Sequence, residues 1–73
     1  MPKLGVFSGE EIARILEGQG FERVRQKGSH LILQKQENGT TITVPVPMHR
    51  EVRIGTLQSI IRQSGCQREL FLV

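Results

Sequence analysis
The sequence predicts an α+β domain of order α-β-β-β-α, a three-stranded antiparallel sheet with two helices on one face. Three observations carry that reading. Apolar residues recur at helical spacing near both ends of the chain, as Ile12, Ile15 and Leu16 and again as Leu57, Ile60 and Ile61. Between them lie three segments with strand-like patterns, separated only by Gly28 and by Glu37-Asn38-Gly39. Strands joined by such short turns form an antiparallel meander, and helices with one apolar stripe each pack on the same sheet face.

The first helix is expected from about Gly9 to Gln19. Ser8-Gly9-Glu10-Glu11 matches a capping box, in which Ser8 caps the third helical amide and Glu11 reaches back. Phe7 and Ile12 occupy the positions of a hydrophobic staple, and Gly18 and Gly20 supply the stop. Phe21 to Lys27 reads as the first strand, anchored by Phe21 and Val24, and Gly28 breaks it. Ser29 to Gln36 is the second strand, with Leu31, Ile32 and Leu33 at its centre. Asn38-Gly39 is the strongest hairpin signal in the chain, although its flanks allow a slightly longer loop. Thr40 to Val46 alternates, with Ile42, Val44 and Val46 on one side and Thr41 and Thr43 on the other. Pro45 and Pro47 are expected to end that strand. A basic loop, Met48-His49-Arg50-Glu51-Val52-Arg53, leads to the second helix, which starts near Ile54 or Gly55 and is capped by Gly65. The tail offers Leu70, Phe71 and Leu72 for one more helical turn against the core.

The 73 residues allow one domain, residues 1–73, with a core of about a dozen side chains. A domain of this size has no room for a deep cofactor pocket, so no cofactor is expected. Any site must be a shallow groove or an open face, which suits a polymeric substrate. The net charge of +3 and the pI near 9.8 favour an anionic partner, nucleic acid ahead of a membrane surface. Surface charge kept for solubility explains the same numbers equally well. The single Cys66 cannot form an internal disulfide. No apolar run has signal-peptide or membrane-spanning length, so the expectation is a soluble cytoplasmic protein with no membrane partner.

Alternation in the second strand assigns its faces. Leu31, Leu33 and Lys35 share the core side, and His30, Ile32 and Gln34 share the open one. Basic charge concentrates around this strand, as Arg23, Arg25, Lys27 and Lys35 between Arg23 and Gln36 with no acidic residue. Arg50 and Arg53 add to it near His49, whereas Glu10, Glu11 and Glu17 sit on the first helix. Phosphate-binding surfaces have this distribution. Cations that discourage edge-to-edge aggregation would have it too.

Few residues could perform chemistry. His30, His49 and Cys66 show no zinc-ligand spacing, so no metal site is expected. Nothing activates Cys66, which reads as a small core residue. Imidazole, by contrast, exchanges protons near neutral pH. RNA carries its own nucleophile, the 2′-hydroxyl, so a protein need only move protons and offset the phosphorane charge. His30 on a basic open sheet fits that task. Gly28 permits close backbone approach, Ser29 can donate to phosphate, and Lys27 or Arg25 can offset charge. From composition and spacing alone, a lone strand histidine is more often a surface residue, Gly28-Ser29 more often a turn, and His49 more often a loop residue.

Three pieces in order resemble the HicA (YcfA-like) toxin family. They are Gln26-Lys27-Gly28-Ser29-His30, then Val44-Pro45-Val46-Pro47-Met48-His49, then Gly55-Thr56-Leu57 with Ser59-Ile60-Ile61-Arg62-Gln63 and Gly65. Ser8-Gly9-Glu10-Glu11 and Gly20-Phe21 also match. The resemblance implies a fold like that of double-stranded-RNA-binding domains. It implies a toxin that cleaves messenger RNA and is paired with a HicB-like antitoxin; with no metal site expected, the leading reading is a metal-independent endoribonuclease. It places the catalytic histidine at His30 and a second histidine of the pattern at His49. Cys66-Gln67 departs from the family's aliphatic residue followed by Ser or Thr, which bears on the last helical turn.

With the residue-level reading added, the expected RNA-binding set is Arg25, Lys27, Gly28, Ser29 and Lys35. Ile32, apolar on the open face, is the expected contact for the antitoxin. Two rivals share the same fold and face, a non-catalytic RNA-binding module and a protein-interaction module.

Overall fold
The computed structural model describes residues 3–73; Met1 and Pro2 of the expected 1–73 domain lie outside the described residues. The elements are α1 (Gly9–Gly18), β1 (Glu22–Lys27), β2 (His30–Glu37), β3 (Thr40–Pro47), α2 (Ile54–Ser64) and a single 3-10 turn at Arg68–Phe71. The sheet has the order β1-β2-β3 and both pairings are antiparallel. The expected fold class, α-β-β-β-α, is the observed one.

Local chemistry explains most boundaries. The Glu11 amide donates to Ser8 Oγ at 3.1 Å, and the Ser8 amide donates to Glu11 Oε1 at 2.9 Å, so the capping box is closed. Gly65 takes φ 71 and caps α2 by donating to the Ile61 carbonyl. Asn38 and Gly39 both have positive φ, 53 and 78, between the paired residues Glu37 and Thr40. That is a two-residue hairpin of the kind Asn-Gly favours, and the longer loop is not used. Gly28, with φ 62, occupies the first central position of the other two-residue turn, between the paired Lys27 and His30.

The core lies between the sheet and the two helices. Ile12, Ala13 and Leu16 from α1, Leu31 and Leu33 from β2, Val44 and Val46 from β3, Leu57 and Ile60 from α2, and Phe21, Val52 and Phe71 form one buried cluster. Phe71 stands edge-on to Phe7 with centroids 5.9 Å apart. The chain ends are drawn together there: Leu4 bridges Leu72, and the Gly5 amide donates to the Phe71 carbonyl at 2.8 Å. The last turn thus forms despite the Cys66-Gln67 departure. That turn has no side-chain cap; at the end of α2 the Ser64 hydroxyl accepts from the Cys66 amide and donates to the Ile61 carbonyl, each at 3.2 Å.

Several expectations are corrected. α1 ends at Gly18, with Gln19 as its cap, and Ala13 joins its buried stripe while Ile15 lies at the margin. Phe21 is core but lies just outside β1, and Val24 is exposed and anchors nothing. β2 runs one residue further than expected, to Glu37. Pro45 does not end β3: the strand continues through it to Pro47, because β3 is an edge strand whose outer side needs no donors.

Candidate functional site
Register decides which side chains meet. His30 lies opposite Lys27 on β1 and opposite Pro47 on β3, and Ile32 lies opposite Arg25 and Pro45. Residues directly opposite share a face. The side of the sheet away from the helices therefore presents Arg25, Lys27, His30, Ile32 and Pro45 together, with Pro47 buried at the strand end.

A β-bulge makes this set possible. Between Arg23 and Arg25 the β1 register shifts, leaving Val24 as the extra residue. Arg23 pairs with Leu33 on the helix side, while Arg25 pairs with Ile32 on the outer side. Without the bulge, two arginines two residues apart would point the same way. Arg23 instead turns to α1, where it bonds both Glu10 carboxylate oxygens at 3.0 and 2.6 Å and Glu17 at 3.1 Å. The hydrogen bond from Arg23 holds the Glu10 carboxyl below its ordinary range. Lys35 is also set apart. It lies on the helix side, pairs with Glu37 at 3.3 Å, and its ammonium stands 5.8 Å from the Phe21 ring centroid.

His30 and His49, remote in sequence, line one groove of about 500 Å³ between the β3 edge and α2. Pro45 and Pro47 form its strand side; Thr56, Ser59, Ile60 and Gln63 form its helix side; Glu51 and Arg53 come from the connecting loop. Both histidines are exposed. Backbone bonds fix the loop that carries His49: the Met48 amide donates to the Ser29 carbonyl at 2.7 Å, and the Gly9 amide to the His49 carbonyl at 2.9 Å. A Cβ on Gly9 would collide with the Pro47 carbonyl oxygen and stand 2.8 Å from Met48 Cα, so glycine is required for that approach. Gly28 and Ser29 form the exposed turn beside His30, with open space around Gly28.

The structure thus brings together His30, His49, Lys27, Arg25, Gly28, Ser29 and Ile32, and places Lys35 elsewhere. The sequence reading missed the helix side of the groove. Thr56, Ser59 and Gln63 fall at i, i+3 and i+7, a polar stripe beside the apolar one, and that spacing was its available signal. Among the described residues no three His, Cys, Asp or Glu side chains assemble as a metal site would require.

Fold and groove together define a small α+β domain with an open sheet, a two-histidine cleft and a cationic surround. Residues 9–66 match the family model described as the HicA toxin of bacterial toxin-antitoxin systems. The chain belongs to that family; it is the toxin of a toxin-antitoxin pair, and an antitoxin is its partner. No curated protein matches the chain significantly. No helix among the described residues is long and apolar enough to cross a membrane.

Proposed function
We propose that this toxin is a metal-independent endoribonuclease that cleaves messenger RNA in the cytoplasm, with His30 as its catalytic residue. The observation that carries the reading is the shared groove of His30 and His49, with Lys27 opposite His30 and Arg53 on the rim. In the reaction the 2′-oxygen of the RNA attacks the adjacent phosphorus and the bond to the 5′-oxygen breaks. A base takes the 2′-hydroxyl proton, an acid delivers a proton to the departing 5′-oxygen, and a 2′,3′-cyclic phosphate and a 5′-hydroxyl result. Two imidazoles in one groove can divide those tasks, and His49 is the second candidate. Arg25 and Lys27, with the exposed Gly28-Ser29 turn, hold the phosphate chain. Lys35, paired with Glu37, is the outlying member of the expected set.

The residues 1–73 act as one domain in this reading. Its partner is a HicB-like antitoxin that covers the His30 face, with half-buried Ile32 supplying apolar contact among the cations. Occlusion of the groove would then inhibit the toxin.

The test is cleavage of RNA by the purified chain with and without a chelator, alongside His30→Ala. Wild type should cleave in both conditions, and the variant should be folded and inactive, since truncating an exposed side chain leaves no core cavity. Full cleavage by a folded His30→Ala variant would remove the catalytic assignment.

A further inference from the structure
We propose that the stripe Thr56, Ser59 and Gln63 on α2 is the specificity wall of the groove, reading the nucleotide next to the cleaved bond. The inference rests on the nuclease reading and adds which residues choose the substrate.

The three side chains line the same groove as both histidines and carry no charge. Cations hold phosphates, which are alike at every position, whereas hydroxyl and amide groups can pair with base edges, which differ. The charged residue of α2 lies off this wall: Arg62 lines a separate groove with Leu4, Gln58, Ile61 and Arg68. Arg62 nevertheless reaches back to donate to Ser59 Oγ at 3.2 Å. With a lone pair engaged by a guanidinium, the Ser59 hydroxyl is left to donate its own proton toward an acceptor in the groove. Gln63 adds a donor and an acceptor in fixed relation. Across the groove, exposed Pro45 offers an apolar ring on which a ribose or a base can rest.

Phe, Tyr and Trp rings supply no stacking platform in this groove. The chain has no Trp or Tyr, and of its three Phe residues Phe21 and Phe71 are buried while Phe7 packs on Phe71. Single-stranded nucleic acid is commonly held by exposed aromatic rings. The two imidazoles can stack on any base, which is sequence-tolerant, so base identity is left to hydrogen bonding, and the α2 wall is where uncharged hydrogen-bonding groups line the groove with the histidines.

The experiment measures binding of four homopolymeric RNA oligonucleotides to the His30→Ala chain, with amide NMR shifts recorded during titration. Affinities should differ among the four by roughly fivefold or more, with shifts at Thr56, Ser59 and Gln63. Gln63→Ala should flatten those ratios. Ser59→Ala should weaken binding, and Arg62→Ala should alter the ratios in the parent but not on top of Ser59→Ala. Ratios that none of these variants changes, or shifts confined to the sheet face, would overturn the proposal. Discrimination at this wall in a wild-type chain that cleaves no RNA would uphold the wall and remove the nuclease reading. Failure to bind any of the four by a chain whose wild type cleaves RNA would overturn the wall and leave the nuclease reading standing.

Discussion
At the scale of single residues, two glycines with opposite surroundings separate packing from flexibility. Gly9 sits where a methyl group would press on the backbone at Pro47 and Met48. Gly9→Ala should cost about 1–3 kcal/mol in urea denaturation, the usual range for overpacking. Because the pressure falls on the segment that carries His49, cleavage should fall as well, even where the variant is fully folded. Gly18 has a helical backbone, and a methyl group added there would meet no atom within 4 Å. Gly18→Ala should therefore stabilise by about 0.4–1 kcal/mol through the unfolded chain, with activity unchanged. Equal effects at the two sites would contradict the contact at Gly9. Sequence alone marked Gly9 only as part of a capping box. Its second task depends on a strand end some forty positions away, which no local pattern encodes.

At the scale of elements, legibility followed the range of the determining forces. α1 was readable because its cap is local, and the Asn38-Gly39 hairpin because its turn is set by two residues. β1 was read less well. Its pattern gives no apolar alternation, every residue in it is exposed, and its bulge arises because Arg23 turns to α1 while Arg25 pairs with Ile32. Long-range attraction to Glu10 and Glu17 is invisible to periodicity. The candidate site divided the same way: His30 was legible from its motif, but its meeting with His49 and the α2 wall depends on tertiary packing.

The Arg23 cluster also predicts acid behaviour. Glu10 binds its proton less readily in the fold than in the unfolded chain. The stability it contributes is complete above its ordinary value of 4.5 and is lost as the pH falls through the lowered one. Thermal melts of wild type and Arg23→Ala should differ at pH 7 and converge in acid. A gap that does not change with pH would mean that these exposed pairs contribute nothing.

At the scale of the whole molecule, charge is partitioned by pairing. Glu10, Glu17, Arg14 and Arg23 satisfy one another on the α1 side, and Lys35 pairs with Glu37. Arg25, Lys27, Arg50 and Arg53 are exposed and have no ion pair among the described residues. These four lie on the outer sheet face and the loop beside the groove, while Arg62 and Arg68, also without an ion pair among the described residues, line a separate groove beside α2. RNA binding to the His30→Ala chain should lose about 0.7 from the slope of log affinity against log salt with each of Arg25→Ala and Lys27→Ala. Lys35→Ala should leave the slope almost unchanged. A slope that responds to Lys35 alone would move the RNA path to the other side of the molecule.

The groove draws its walls from His30 to Gln63, and the core behind it is closed by Phe71 where Leu4 meets Leu72. A ribosome delivers a chain from its N-terminus. His30 therefore emerges well before the helix that faces it, and the side chain that seals the core emerges later still. While the chain is being made there is a histidine but no cleft around it. The groove can be whole only after its helix wall has been made, and the time its antitoxin has to meet it is counted from then.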